Sequence, residues 1–221
     1  GDENFIIVSG DLVTDFDFKK LFDFHADKKS QLSIGLTSVE NPLQFGVVIA
    51  NEDNVIEKFL EKPSWGEVFS DTINTGIYII EPEILDFIPR GENFDFAKDL
   101  FPLLMKKDIE LMGLNLSGYW RDVGNPESYR EVFEDILNGK VKLHISGKKK
   151  EYPDGVLYSH GKNELDHSVD IIGTVILGEN IKIGKNTKLN NVVIGNNVTI
   201  GSSCKIRNSV LWEDIVIEKN V

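Results

Sequence analysis

The chain is predicted to fold as an α/β domain followed by a parallel β-helix of hexapeptide repeats. Two observations carry this. Up to about residue 139, short apolar runs of strand length alternate with amphipathic helical stretches. From about residue 165, apolar residues recur every five or six positions in a 17-residue cycle. The expected organisation is therefore an α/β portion over 1–139, a linker over 140–164 and a repeat region over 165–221.

In the first portion, Asn4–Ser9 reads as a buried strand. Asp17 is a suitable N-cap for a helix whose apolar face is Phe18, Leu21, Phe22 and His25, spaced i, i+3, i+4, i+7. Leu32–Val39, Phe45–Ala50, Val55–Glu61 and Gly76–Ile80 read as strands between Asn, Pro and Gly turn signals. Asp95–Lys107 reads as a helix. A further helix over 126–138 has Asn125 as N-cap, Pro126 at its first position and Gly139 past its end. Tyr129, Val132, Phe133, Ile136 and Leu137 form its apolar stripe.

Residues 140–160 combine Lys148-Lys149-Lys150 with Pro153, Asp154 and Gly155, which suits a linker or crossing segment with a solvated lysine run. Beyond it, Leu177, Ile183, Leu189, Ile194, Ile200, Ile206, Leu211 and Ile217 are spaced 6, 6, 5, 6, 6, 5, 6. Adding 17 carries Leu177 to Ile194 to Leu211, and Ile183 to Ile200 to Ile217. Ile172 sits 17 before Leu189 and is expected in the same layer. Gly178, Gly184, Gly195 and Gly201 follow inward residues at the corners. Each coil of such a solenoid buries its apolar side only by stacking on its neighbours. Cys204, two residues before Ile206, reads as a small core residue rather than a nucleophile.

Bulk composition narrows the function. The 221 residues are 41% hydrophobic and 27% charged, with a formal net charge of −12. So acidic a surface repels nucleic acid, and no nucleic-acid partner is expected. No apolar run approaches the length of a membrane span, and Gly1-Asp2-Glu3-Asn4 is acidic where a signal peptide is basic. One cysteine excludes an internal disulfide framework and a multi-cysteine zinc site. A cytoplasmic protein with no membrane partner is expected.

Asp11 and Asp122 each end a short apolar run at a glycine-marked turn, in Ser9-Gly10-Asp11 and Trp120-Arg121-Asp122-Val123-Gly124. In an open α/β sheet, ligands bind at the carboxyl ends of strands, and Mg²⁺ is commonly held by one or two carboxylates plus substrate phosphates. Between them stand Phe45-Gly46-Val47-Val48, Glu61-Lys62-Pro63 and Asn74-Thr75-Gly76-Ile77-Tyr78. Taken singly, each of these is also a common turn or strand end.

Their order along the chain resembles the sugar-nucleotide pyrophosphorylases, nucleotidyltransferases that make an NDP-sugar from an NTP and a sugar 1-phosphate. Phe45 to Phe101 is most similar to the mannose-1-phosphate guanylyltransferase branch, in particular to the bacterial type with a phosphomannomutase-like domain downstream. The resemblance implies a Rossmann-like nucleotidyltransferase domain followed by a left-handed β-helix. It implies transfer from GTP to mannose 1-phosphate with release of pyrophosphate, and Mg²⁺ as the cofactor. Asp11 and Asp122 match the family's metal-binding aspartates. Lys62 matches the lysine that holds the sugar phosphate, and with the two aspartates makes up the catalytic set. Glu61 matches the acceptor of sugar hydroxyls. Gly46 would let backbone approach the sugar, and Asn74 and Thr75 would add amide and hydroxyl contacts. No general base is needed, because the attacking phosphate oxygen is already an anion. Homo-oligomerisation through the β-helix is the expected assembly.

The family's glycine-rich loop, which holds the triphosphate and base, has no counterpart in the 221 residues. The chain is therefore expected to be an internal segment that keeps the sugar-phosphate and metal half, without turnover on its own. Two rivals remain. A non-catalytic pyrophosphorylase-like subunit would be expected to lose metal ligands, whereas Asp11, Asp122 and Lys62 are present. A hexapeptide acyltransferase would want a histidine between coils, and Ile171 to Val221 contains none. A glucose-1-phosphate nucleotidyltransferase is a third possibility, since base and sugar come from resemblance alone.

Overall fold

The computed structural model describes residues 3–64 and 66–221. The chain divides into two compact units, Gly1–Trp120 and Arg121–Val221.

The first unit is built on a mixed sheet. Strand β1 (Phe5–Val8) is followed by β2 (Leu12–Thr14) and helix α1 (Phe18–Lys28), then β3 (Leu32–Ser38), β4 (Gly46–Ala50), β5 (Ile56–Glu61) and β6 (Thr72–Ile80). A helical segment ending in α2 (Phe101–Lys106) leads to β7 (Leu111–Asn115). The sheet runs β5-β4-β6-β3-β7, and β1 pairs with the far half of β6. Only the β3–β7 pairing is parallel among those described in this sheet. The reason lies in the connections: β4 and β5 are joined by a tight turn, which permits only an antiparallel pair.

Each sheet face has its own core. On one, Leu32, Ile34, Leu36, Val48, Tyr78 and Ile80 pack with Leu100, Phe101 and Leu104 of the helical segment. On the other, Ile77 and Ile79 pack with Phe16 and with Leu21 of α1. Asp17 caps α1 by accepting from the Lys19 N–H at 3.1 Å. His25, on its apolar face, is a satisfied core histidine: Nδ1 lies 2.9 Å from Ser33 Oγ and Nε2 lies 3.2 Å from Glu81 Oε1. The helix expected over Asp95–Lys107 starts with a wide turn at Phe96–Leu100, which becomes α-helical at Phe101. Pro102 explains the change of pitch, since it cannot donate to the helical ladder.

The division between units falls inside β8 (Trp120–Asp122). Helix α3 (Pro126–Leu137) has the expected caps: Asn125 Oδ1 accepts from Glu127 N at 3.0 Å and Ser128 N at 2.9 Å. The stretch expected to be a linker contains β9 (Lys148–Tyr152), β10 (Asp154–Ser159) and the first residue of β11 (Glu164–Leu165). These pair onto the solenoid, β9 antiparallel to β10 as an edge strand and β10 parallel to the next long strand. An edge strand rich in lysine discourages further pairing.

The repeat region forms a parallel β-solenoid. Its long strands are β12 (Asp170–Leu177), β14 (Lys188–Ile194) and β16 (Lys205–Leu211). Its short strands are β13 (Lys182–Ile183), β15 (Thr199–Ile200) and β17 (Val216–Ile217). The sheets run β16-β14-β12-β10-β9 and β11-β13-β15-β17. Leu189 pairs with Ile206, Ile183 with Ile200 and Ile200 with Ile217, the 17-residue register read from sequence. One layer differs. Ile171, not Ile172, pairs with Leu189 and is buried, because a bulge between Ile172 and Val175 adds a residue to that coil. Gly173 takes φ +63° there, a conformation that suits glycine. The left-handed corner residues are mostly asparagines, among them Asn180, Asn186, Asn191 and Asn197. Gly184 and Gly201 serve another purpose: a Cβ on Gly184 would lie 2.7 Å from Ser202 N, and one on Gly201 2.6 Å from Lys219 N. They admit the backbone of the next coil. Cys204 is fully buried in the solenoid core.

Candidate functional site

The sheet register brings three of the expected residues into one row. Gly46 pairs with Glu61, and the antiparallel pairing of Val47 with Ile73 sets Asn74 beside Gly46 on its other side. Residues in one row point to the same face. Glu61 and Asn74 thus flank a glycine, with their Cα atoms two interstrand spacings, about 10 Å, apart. The glycine leaves a gap, and the Glu61 side chain leans into it: a Cβ on Gly46 would lie 2.8 Å from Glu61 Oε2 and 2.7 Å from Phe59 Cζ. The face is polar at this row and aromatic below it, where Phe59, Tyr78 and Phe96 pack around Phe101.

Glu61 is half-buried, and burial pushes its carboxyl above the usual range. Lys62 opposes the shift, Asp95 adds to it and Lys98 opposes it. The start of the 96–106 helical segment therefore contributes charge to this face. Lys62 is exposed and ends β5 in a left-handed turn with φ +46°, its N–H donating to the Phe45 carbonyl at 3.1 Å. Left-handed backbone is unfavourable for a side-chain-bearing residue, and doubly so before a proline. Pro63 follows and is buried. Such strain persists only where surrounding structure enforces it.

Asn74 is held at both ends of its amide. Its Oδ1 accepts from Gly76 N–H at 3.0 Å, and its Nδ2 donates to Tyr78 Oη at 3.0 Å. Thr75 is buried and its hydroxyl donates to the Gly35 carbonyl at 2.6 Å, so this hydroxyl serves the sheet. Gly76, with φ +75°, lies in an irregularity where β6 carries extra residues against β3 between Ile34 and Leu36. Bulges of this kind re-aim side chains next to sites.

That bulge also anchors the Asp11 turn. Ser9 N–H donates to the Gly76 carbonyl at 3.0 Å, and a Cβ on Gly76 would lie 2.7 Å from Ser9 Oγ. Trp120 closes the assembly, donating Nε1–H to the Thr75 carbonyl at 3.0 Å and meeting Phe45 edge-on at 5.2 Å. The segments around Asp11, Gly46, Glu61-Lys62 and Asn74 are thus tied into one network within the first unit. Sequence reasoning placed Tyr78 and Trp120 within its motifs without giving either a part of its own, and missed Asp95 and Lys98. Asp95 was legible only as the first residue of the helix expected over Asp95–Lys107.

Asp11 lies in the first unit, exposed at the end of its turn, and Asp122 in the second, half-buried. Gly124 leaves room beside the second carboxylate, since a Cβ there would lie 3.0 Å from Asp122 Oδ2. Arg121, beside it, pairs with Glu131 and lies 3.7 Å from Asp135, and Lys140 pairs with Asp135 at 2.7 Å. Among the described residues, no group of three or more His, Cys, Asp or Glu gathers to hold a metal. Each carboxylate by itself is an oxygen donor of the kind that suits Mg²⁺, which keeps several waters and completes its shell with phosphates. No helix of the described chain is long and apolar enough to cross a membrane.

Residues 1–139 match the family model described as nucleotidyl transferase. Among curated proteins, the chain is 36% identical over 187 residues to a mannose-1-phosphate guanyltransferase of Schizosaccharomyces pombe, covering 83% of this chain and 46% of that protein. It is 29% identical over 209 residues to a UTP–glucose-1-phosphate uridylyltransferase of Synechocystis sp., covering 86% of this chain and 54% of that protein. The chain thus spans about half the length of the curated relatives it matches. A solved structure from Bacillus anthracis, named as a glucose-1-phosphate thymidylyltransferase, shares the fold with a TM-score of 0.54 at 21% identity. It covers 66% of this chain and 58% of its own.

Proposed function

The chain belongs to the nucleotidyl transferase family, and from that premise we propose that it binds a sugar 1-phosphate and the metal of a sugar-1-phosphate nucleotidyltransferase. The observation that carries the reading is the row Glu61–Gly46–Asn74, with Lys62 beside it in a strained, exposed turn. A sugar ring is a compact, hydroxyl-rich ligand. Gly46 leaves the space into which the Glu61 side chain leans, Glu61 accepts from the ring's hydroxyls, and Asn74 supplies an amide donor. Lys62 meets the phosphate as a compact point charge. Thr75 supports the row from within the sheet.

The reaction is in-line attack of the sugar-phosphate oxygen on the α-phosphorus of the NTP, with pyrophosphate leaving. Lys62 neutralises and orients the attacking phosphate, and Glu61 and Asn74 fix the sugar so that the oxygen is aligned. Asp11 and Asp122 would hold Mg²⁺, which supplies charge neutralisation for the phosphates when bound. Mannose 1-phosphate and GTP are the proposed pair, supported by the likeness of Phe45 to Phe101 to that branch. Glucose 1-phosphate is the second reading, supported by the uridylyltransferase relative. A cytoplasmic location, self-association through the solenoid and a phosphomannomutase-like domain in the whole protein belong to the same proposal. Exposed Trp212 and Val216 on the last coil support self-association.

The test is calorimetric titration of the 221-residue chain with mannose 1-phosphate and with glucose 1-phosphate, each with and without Mg²⁺. Binding should require Mg²⁺, favour the mannose ligand, and fall by more than tenfold in Lys62→Ala and in Asp122→Asn. Equal binding by wild type and both variants overturns the reading.

A further inference from the structure

We propose that Tyr78 is a positioning residue of this face: its hydroxyl fixes the Asn74 amide so that the second N–H of Asn74 is offered to a hydroxyl of the bound sugar phosphate. The inference rests on the sugar-phosphate reading given above.

It follows from counting donors and acceptors. The Gly76 N–H can only donate, so the Asn74 atom facing it at 3.0 Å is the oxygen. The nitrogen must then face Tyr78, whose oxygen accepts one of its two protons at 3.0 Å. The other proton has no acceptor among the described residues, on a row whose opposite end is the Glu61 carboxylate. Tyr78 is well chosen to hold the amide. Its ring is stacked on Phe96 at 5.6 Å with an interplanar angle of 2°, and meets Phe101 edge-on at 5.3 Å. A phenol wedged this way has few rotamers left. Burial, chiefly, pushes Tyr78 up to about 12, so the hydroxyl stays neutral across the physiological range.

Without the hydroxyl, the amide loses one of its two tethers and swings about its Cγ, and the outward N–H is no longer fixed. Tyr78→Phe should weaken binding of mannose 1-phosphate by about fivefold, the worth of one positioned hydrogen bond. Inorganic phosphate, which has no sugar hydroxyl to meet Asn74, should bind to Tyr78→Phe as it does to wild type. Adding Tyr78→Phe to Asn74→Ala should cost nothing further, since the two act as one unit.

The experiment is titration of the full chain and these variants with both probes, with thermal midpoints recorded alongside. Unchanged mannose 1-phosphate affinity in Tyr78→Phe, where Lys62→Ala has lost it, overturns the inference and leaves the site reading standing. Equal weakening for both probes also overturns it, because that marks a structural role only. Indifference of mannose 1-phosphate affinity to Lys62→Ala overturns the site reading and the inference with it.

Discussion

The solenoid and the sheet of the first unit use glycine for opposite ends. In the solenoid, Gly184 and Gly201 make room for the backbone of the next coil, so the missing side chain serves stacking and recurs with the repeat. In the sheet, Gly46 makes room for the Glu61 carboxylate and the Phe59 ring of its neighbouring strand. One region repeats a local solution, with each coil supported by its neighbours. The other ties segments as distant as Ser9 and Trp120 to one bulge by a few hydrogen bonds. Damage to the first should therefore register as stability, and damage to the second as binding.

Leu189→Ala should give the largest loss of stability. The side chain is fully buried, with the Ile206 layer against it. Truncating a buried leucine costs about 2–5 kcal/mol. Hydrogen exchange under native conditions should localise the loss to amides of β14 and β16. A loss under about 1 kcal/mol would mean the coils relax to fill the gap, contrary to close packing.

Gly46→Ala should be smaller in stability and larger in function. The new methyl meets two groups that differ in freedom. The Glu61 carboxylate can swing away, whereas the Phe59 ring is held edge-on against Phe101 at 5.3 Å. Overpacking of this kind costs about 1–3 kcal/mol. The displaced carboxylate should abolish detectable binding of mannose 1-phosphate in the same titration. Retained affinity would show that the gap over Gly46 is a packing feature like Gly184.

The two regions also differed in how far they could be read from sequence. The period of 17 fixed which residues of the solenoid point inward, and it failed only at Ile171 and Ile172, where a glycine bulge shifts the count. Periodicity cannot see a single inserted residue. In the sheet, strands were legible from apolar runs, but their partners were not. The row Glu61–Gly46–Asn74 depends on which strands are neighbours, a non-local fact. The same limit hid the part of Trp120, whose indole tethers Thr75 across 45 residues of sequence. The buried hydroxyl of Thr75 illustrates the converse: the motif was visible, and the direction of its side chain was set by the bulge at Gly76.

The smallest expected effect is a pH dependence at Glu61. Burial raises its carboxyl above the ordinary range. Between the ordinary glutamate value and the raised one, the folded chain binds more protons than the unfolded chain, so stability falls as pH rises through that window. Glu61→Gln cannot titrate and should lose this component. The thermal midpoint of the variant minus that of wild type should therefore grow as pH rises through the window, then level off. A difference that is flat, or that shrinks, would place the carboxylate in a better-solvated setting than the Gly46 gap provides. The same deprotonation should strengthen sugar-phosphate binding in wild type, because an ionised Glu61 is a pure acceptor for ligand hydroxyls. One group thus loses stability and gains affinity over the same interval. No buried carboxylate of the solenoid is placed to do this among the described residues, and sites that carry function commonly sit where stability is given up.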